Sequence, residues 1–349
     1  MQKKSKLRNI ILALMLIAAM VLSGCTRTDQ PTDGKKAQDV VFKFAGEEVS
    51  LGEVYVYANT IVEQYEKSYG DSVWGMEVPV SETETENMET LTRKDIIESI
   101  VRVKVLYSKA GEYGIKLSAD EEDKINRQAE AFYKNLTDKQ LEEMQLDREI
   151  IVKVFKENEI ASRVYNKVVG SAGIEVSDED ARQTTFYDLV FEKYTVSGDG
   201  KVKELSEDEC KVQYDRALQA YNTLVNPVSG SGNTNIEGLA EFYGASDSRY
   251  YTVSPSKIKE MYGSEICEML YSLEDGSYSL VTESEYGYHI FYMKALTDRD
   301  ATDELKESEI STKERNYFSA YYEKWLKEAD PGYSYDKSVD KDVYSKIQF

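Results

Sequence analysis

The chain has a single histidine, His289, and three cysteines, and these residues limit the chemistry that it can perform. A metal site built from several histidines is excluded, and a Ser-His-Asp triad could use only His289 as its base. The spacing of Cys210 and Cys267 fits neither a disulfide framework nor a zinc site. We therefore expect two buried thiols, with one bridge between them as the alternative, and we expect no metal and no cofactor.

The third cysteine, Cys25, closes an N-terminal segment that has the features of an export signal. Four basic residues and no acidic residue come before an apolar run over residues 10–22. This run is shorter than the roughly 20 residues that a membrane-spanning helix needs. The residues before the cysteine, Leu22-Ser23-Gly24, are small or apolar, and with Cys25 they resemble a lipobox.

The resemblance to a lipobox implies that residues 1–24 are removed as a signal peptide and that Cys25 carries diacylglycerol. Two acyl chains anchor a protein stably where a single chain is marginal. Residues 25–38 are polar and unpatterned, which is typical of a flexible tether. We expect a lipid-anchored, extracytoplasmic protein at the outer face of the cell membrane, with the outer membrane as an alternative. An ordinary cleaved signal followed by a chance cysteine is the competing interpretation.

The charge of the mature chain restricts its partners. Removing residues 1–24 takes away four of the 43 basic residues and none of the 64 acidic ones, which leaves a formal net charge of −25. A surface this acidic repels nucleic acid and anionic lipid head groups. We therefore expect no nucleic-acid partner and no contact with the membrane except through the lipid. The remaining length is sufficient for about two domains.

Helix signals dominate both ends of the mature chain. In residues 39–169, Ser50 with Glu53 forms a capping box, and similar boxes and apolar residues at helical spacing follow. Residues 305–349 return to a helical pattern that carries a stripe of aromatic side chains. Because such a stripe needs a partner surface, we expect this tail to pack on the first helices and to complete one helical module.

The segment between these helical parts, residues 175–297, has a different pattern. Strand signals occur at 186–191, 278–282 and 288–296, and a capping box at Ser206 begins a helix between them. The sequence therefore predicts an α+β protein in which a compact α+β domain is inserted into a helical module built from both chain ends.

Three parts of the chain carry a resemblance to a known family. Residues 287–290, Gly-Tyr-His-Ile, follow Ser-Leu-Glu-Asp-Gly-Ser-Tyr-Ser at 272–279, and together they resemble the C-terminal half of a parvulin-type peptidyl-prolyl isomerase domain. The helix pattern at 236–243 is similar to another part of that domain. The helical frame resembles PrsA-like foldases and the N-terminal module of SurA-like chaperones. The resemblance implies a foldase or chaperone whose partners are unfolded or partly folded exported polypeptides.

The same resemblance implies where an isomerase site would lie. His289 takes the place of the second of two histidines at the floor of the family's site. The first histidine position falls on Asp188, or on Tyr187 with a shift of one residue. The family's Cys or Asp falls on Ser246 or Asp247. Since the histidine pair is absent, we expect prolyl isomerase activity to be weak or lost.

Four further residues are expected to contact a bound peptide. Tyr262 and Ile266 fall where the family has the Met and Phe of its proline pocket. Tyr271 and Tyr286 are included because tyrosine rings suit a cleft that holds diverse peptides. The competing interpretation treats His289 as a core histidine satisfied by a neighbouring hydroxyl or carbonyl group.

Two other classes of protein share the lipobox, the length and the acidity. A solute-binding lipoprotein would need alternating strands and helices around parallel sheets, which the long helical first half argues against. A structural surface lipoprotein could use the same fold without binding clients, because a fold does not fix a function.

Overall fold

The structure is a computed structural model that describes residues 38–81, 83–226, 235–245 and 247–349. Cys25 with its signal sequence, and Ser246, lie outside the described residues. Within the described ranges, none of the helices combines the length and the apolar character that crossing a membrane requires.

The protein is a mixed α+β structure, mostly helical, with small antiparallel sheets. The helices are α1 (Leu51–Tyr69), α2 (Met88–Ser108), α3 (Ala119–Asn135), α4 (Asp138–Glu143), α5 (Arg148–Gly170), α6 (Glu207–Val225), α7 (Ile236–Tyr243), α8 (Pro255–Tyr271), α9 (Arg299–Ala329), α10 (Tyr335–Ser338) and α11 (Lys341–Tyr344). The strands are β1 (Val40–Phe44), β2 (Glu47–Ser50), β3 (Glu77–Pro79), β4 (Thr85–Asn87), β5 (Thr184–Glu192), β6 (Tyr194–Val196), β7 (Val202–Glu204), β8 (Arg249–Val253), β9 (Thr282–Glu283) and β10 (Gly287–Ala295).

The described chain divides into two compact units. The first unit contains the residues up to Gly173 together with Glu314–Phe349, and the second contains Ile174–Lys313. The division falls inside α9, because this helix begins at Arg299 and continues without a break past residue 305.

The first unit is built around β1, β2 and the long helices α1, α2 and α5. The indole ring of Trp325 is buried and meets the ring of Tyr113 edge to face, at 5.9 Å between centroids. The chain end also joins the hairpin, because the N–H group of Asp340 donates to the carbonyl of Val41 at 2.7 Å. Trp325 is thus part of the core of the first unit.

The first unit holds an ion network in its interior that the sequence pattern did not indicate. The Lys104 ammonium lies 2.6 Å from a carboxylate oxygen of Glu53 and 2.6 Å from one of Glu157, and all three side chains are buried. Lys153 approaches Glu53 at 3.0 Å from the exposed side. The Ser50 hydroxyl caps α1 by accepting from the Glu53 N–H group. The prediction of a full capping box is wrong, because the Glu53 carboxylate binds these lysines and does not turn back to Ser50.

The second unit contains a four-stranded antiparallel sheet in the order β8-β5-β10-β9. Helices α6 and α7 pack on one face of this sheet, and α8 packs on the other. The expected strand at 278–282 is mostly absent: Tyr278 forms one bridge to Tyr292, and regular pairing begins only at β9. The chain leaves the ladder between these points, where the Ser279 hydroxyl binds the neighbouring backbone.

Helix α8 is not continuous. Gly263 has φ 84° and ψ 173°, so the helix is kinked directly after Tyr262. Only glycine adopts such angles without strain, which explains why a kink can form here. The kink sets the position at which Tyr262 faces the sheet.

Candidate functional site

The two central strands of the second unit bring the site residues onto one face of the sheet. His289 pairs with Val190, and Phe291 pairs with Asp188, in the antiparallel register of β10 and β5. Alternate residues of a strand point to the same face, so Asp188 and His289 both face α8. Tyr187 lies on the opposite face, in the core formed with α6 and α7.

A glycine allows the two strands to approach each other closely. A Cβ atom at Gly287 would lie 2.5 Å from the carbonyl oxygen of Phe191, which is well inside van der Waals contact. Any other residue would force the strands apart at this point. Gly287 therefore fixes the start of β10, and with it the position of His289.

Both ring nitrogens of His289 have hydrogen-bond partners. Nδ1 lies 2.9 and 3.0 Å from the two carboxylate oxygens of Asp188, and Nε2 lies 2.7 Å from the hydroxyl oxygen of Ser284. Asp188 and His289 are buried, while Ser284 is partly exposed. The imidazole thus connects a buried carboxylate to a hydroxyl group near the surface.

The partners of Ser284 fix the tautomer of the imidazole. The Ser284 hydroxyl oxygen accepts hydrogen bonds from the N–H groups of Tyr286 at 3.0 Å and Gly287 at 3.3 Å. Its own hydrogen is then left to donate to Nε2 of His289. Nδ1 carries the ring proton and donates it to Asp188, which as a carboxylate can only accept.

Tyr262 closes the space above this pair. Its hydroxyl group donates to Oδ2 of Asp188 at 2.9 Å, and its ring stands edge-on to the His289 ring at 5.7 Å. Burial, and then the charge of Asp188, raise the pKa of the Tyr262 hydroxyl well above its usual range, so it stays a donor. Phe186 and Phe291 complete an aromatic wall around it.

Two of the side chains expected to contact a peptide belong to the packing between α8 and the sheet. Ile266 is buried there with Phe186 and Phe291. The Tyr271 hydroxyl bonds to that of Thr184 at 2.8 Å. Thr184 starts β5, and at about 3.3 Å per residue it lies roughly 20 Å from the position opposite His289. Both side chains pack in the core between α8 and the sheet, and their expected contact with a bound peptide stays a prediction.

Tyr286 lies on the turn between β9 and β10 and is half-exposed. A hydrogen bond to the neighbouring Glu285 raises the pKa of the Tyr286 hydroxyl. Its backbone N–H group, and not its ring, takes part in the network around Ser284. The ring remains accessible beside that hydroxyl group.

Asp247 lies on the loop before β8 and is paired with two neighbours. One carboxylate oxygen of Asp247 is 3.6 Å from the guanidinium of Arg249, and the side chain is half-exposed. Asp247 also bonds to the carboxyl group of Glu192 at the end of β5. Burial, and then the hydrogen bond and repulsion from Asp247, raise the pKa of Glu192 to about 7. Glu192 therefore takes up a proton near neutral pH.

The cysteines and metal-binding groups add no second site. Cys210 and Cys267 are both free thiols, so the alternative of a bridge is wrong, and both are partly exposed where burial was expected. Burial raises the pKa of the Cys267 thiol. Within the described ranges, no cluster of three or more His, Cys, Asp or Glu side chains could hold a metal ion.

Sequence reasoning missed Ser284 and Glu192. Ser284 begins the turn that joins β9 to β10, five residues before His289. Hairpin geometry brings these two positions together and could have identified Ser284 from the sequence. Glu192 follows Asp188 by four residues on the same strand, so strand alternation places both on one face.

Comparison with known proteins gives likenesses only at the level of structure. No family model matches the chain, and no curated protein matches its sequence. Solved structures of PrsA foldases match across most of its length. The chain is similar to PrsA foldases.

Three of these PrsA structures show the extent of the likeness. The peptidylprolyl isomerase PrsA from Bacillus cereus is 15% identical, with 78% of this chain and 97% of that one covered and a TM-score of 0.24. PrsA from Bacillus subtilis is 16% identical, with 90% and 99% covered and a TM-score of 0.19. The foldase protein PrsA from Lactococcus lactis is 12% identical, with 84% and 93% covered and a TM-score of 0.28. Such low TM-scores leave the function to be argued from the site itself.

Proposed function

We propose that this protein is an extracytoplasmic foldase or holdase, anchored through a lipid on Cys25, that binds unfolded or partly folded exported polypeptides. In this proposal the first unit is a helical chaperone module and the second is a parvulin-like domain that contributes binding more than catalysis. Prolyl isomerase activity is weak or lost.

The single observation that carries the proposal is the closed network around His289. The histidine lies on the central strand of an antiparallel sheet, as the Gly-Tyr-His-Ile motif predicts for a parvulin-like domain. However, Asp188 and Ser284 occupy both ring nitrogens, and Tyr262 covers the carboxylate. The arrangement favours a domain that keeps the fold while its isomerase site is filled by its own side chains.

Isomerisation of a prolyl bond needs a cleft that holds the substrate in a precise geometry. The barrier to rotation about a peptide bond is about 18–20 kcal/mol, and the only help a binding site can give is to stabilise the twisted amide. Here Tyr262 and Phe291 pack against the imidazole from two sides. A pyrrolidine ring would have to displace Tyr262, which loses a hydrogen bond to a buried carboxylate.

Client binding draws on charge and on exposed apolar side chains. The net charge of −25 expected for the mature chain attracts the basic segments of unfolded polypeptides. Phe242 on α7 and Leu280 before β9 are exposed by 76% and 69%, which is high for side chains of this size. Each offers an apolar contact to a chain that has not yet buried its own core.

Suppression of aggregation tests the proposal. We expect the mature protein, with Cys25→Ser to omit the lipid, to keep a chemically unfolded basic client soluble on dilution at a stoichiometric ratio. Phe242→Ser should weaken this effect, and Tyr214→Ser, on the neighbouring helix α6, is the matched control. Equal aggregation with and without the protein would contradict client binding and would favour a purely structural lipoprotein.

The alternative of a solute-binding lipoprotein has less support. Each strand pairing in the part of the chain that the structure describes is antiparallel. The architecture considered for a solute-binding protein requires parallel sheets with crossover helices. The sheets described here do not form that architecture.

A further inference from the structure

Three side chains of the second unit stand in a row that ends at the surface. Asp188 holds Nδ1 of His289 at 2.9 Å, and Nε2 of the same ring lies 2.7 Å from the hydroxyl oxygen of Ser284. Asp188 and His289 are buried, and Ser284 is partly exposed on the turn between β9 and β10. The order is carboxylate, imidazole, hydroxyl, with normal hydrogen-bond distances at both links.

The proton positions match those of an activated nucleophile. Where the Asp188 carboxylate accepts from the ring, Nδ1 carries the ring proton and Nε2 is left as the acceptor. The hydroxyl oxygen of Ser284 receives two backbone N–H groups, so its hydrogen points to Nε2. Both ends of the row therefore require the same tautomer, the one in which a histidine can take a proton from a serine.

We propose that Ser284 is the nucleophile of an acyl-transfer site, with His289 as general base and Asp188 as the group that orients the imidazole. This activity goes beyond client binding and does not depend on it. Its substrates are neutral esters presented at the turn between β9 and β10.

Each step of the reaction balances with the groups present and water. The Ser284 oxygen attacks the acyl carbonyl carbon while the hydroxyl proton moves to Nε2 of His289. The carbon-oxygen bond to the leaving alcohol then breaks, and His289 returns the proton to that alcohol. Water attacks the acyl-serine in the same way, releasing the acid and restoring the hydroxyl group.

The surroundings of Ser284 define the substrate class. Glu283 and Glu285 flank the nucleophile, and the acidic surface of the protein repels esters whose acyl group carries a negative charge. Lys193 pairs with Glu283 and donates to the Ser284 carbonyl at 2.9 Å, so it offsets the charge of Glu283 and leaves Glu285 as the acidic group beside the nucleophile. The half-exposed ring of Tyr286 provides an apolar surface for the acyl or alcohol part.

Labelling with a fluorophosphonate probe, followed by mapping of the modified peptide, tests the proposal. We expect the mature protein to carry the adduct on Ser284 and to hydrolyse p-nitrophenyl acetate. Asp188→Asn should reduce both rates by about 10²–10⁴-fold, because an amide no longer selects the tautomer. Ser197→Ala is the matched control: its hydroxyl binds Asp199 on an exposed turn but contacts no histidine, so labelling should be unchanged.

The fold of each variant is checked by far-UV circular dichroism and thermal unfolding. An adduct absent from Ser284 in folded wild-type protein would overturn the proposal, as would equal labelling rates in the folded wild-type protein and in a folded Asp188→Asn variant. Neither result would alter the outcome of the aggregation assay, so failure of this site and failure of client binding are distinguishable.

Discussion

The hydroxyl group of Tyr262 lies 2.9 Å from Oδ2 of Asp188, the carboxylate that also binds Nδ1 of His289. One buried carboxylate thus has two hydrogen-bond partners, the Tyr262 hydroxyl and the His289 ring. The kink at Gly263 positions Tyr262, because it turns the last residue of the preceding helical segment toward the sheet. An aspartate at this position keeps the imidazole oriented, and it also attracts the side chain that fills the space above it.

Removal of the Tyr262 hydroxyl is expected to destabilise the second unit without changing its packing. In Tyr262→Phe, Asp188 loses one of its donors, and the expected loss is about 1–3 kcal/mol in the free energy of unfolding. Urea denaturation of the wild type and the variant measures it. Tyr214→Phe, at a half-exposed position on α6, should change stability by less than about 0.5 kcal/mol. Equal stability of wild type and Tyr262→Phe would show that the bond adds nothing.

The Glu192 and Asp247 pair predicts a dependence of stability on pH. Burial and the hydrogen bond to Asp247 raise the pKa of Glu192 from 4.5 to about 7 in the folded protein. The folded state therefore holds this proton more tightly than the unfolded state. The resulting stabilisation is fully present below about pH 4.5 and is lost as the pH rises through about 7.

Glu192→Gln should remove this dependence, because an amide does not titrate. We expect the free energy of unfolding of the wild type, relative to the variant, to fall between pH 5 and pH 8. Asp247→Asn should reduce the dependence only in part, because burial is the largest cause of the raised pKa of Glu192, while Glu241→Gln, at an exposed position on α7, should follow the wild type. Parallel pH profiles of wild type and Glu192→Gln would mean that folding does not raise the pKa of Glu192.

The buried lysine of the first unit should be essential to its stability. Lys104→Met leaves the carboxylates of Glu53 and Glu157 buried without their main partner, which is expected to cost about 3–5 kcal/mol. Chemical denaturation measures the loss, and the exposed Lys139→Met serves as the control. Adding Glu157→Gln to Lys104→Met should recover part of the stability, since one uncompensated charge is removed. A further loss in the double variant would contradict this explanation.

The sequence predicted local features well and long-range partners poorly. The capping boxes at Ser118, Thr137 and Ser206 form as their spacing requires, because each depends on four consecutive residues. The capping box at Ser50 does not form, because the Glu53 carboxylate pairs with Lys104, which is 51 positions away in the sequence. No local pattern encodes such a pairing.

The site shows the same limit. Strand alternation alone predicts which residues of β5 and β10 lie on the same face of the sheet as His289. The bond from Tyr262 to Asp188 joins residues 74 positions apart and depends on the kink at Gly263, which helical periodicity does not reveal.

The anchor depends on one residue. Because the thioether at Cys25 is the only attachment proposed, Cys25→Ala should leave the protein unprocessed or release it from the membrane. Fractionation of expressing cells, with the mass of the N-terminal peptide, measures both outcomes. Ser23→Ala, which keeps a small residue before the cysteine, is the matched control. A Cys25→Ala protein that is cleaved normally and stays membrane-bound would remove the proposed anchor.

Refolding of a client whose slow phase is limited by prolyl isomerisation tests the central claim most directly, because one trace reports both yield and rate. We predict that the mature protein raises the yield of native client while the rate constant of the slow phase stays at its uncatalysed value. The bound protein protects the chain from aggregation, but its filled site does not stabilise the twisted amide. A faster slow phase that is lost in His289→Ala would contradict this account, and an unchanged yield would contradict client binding.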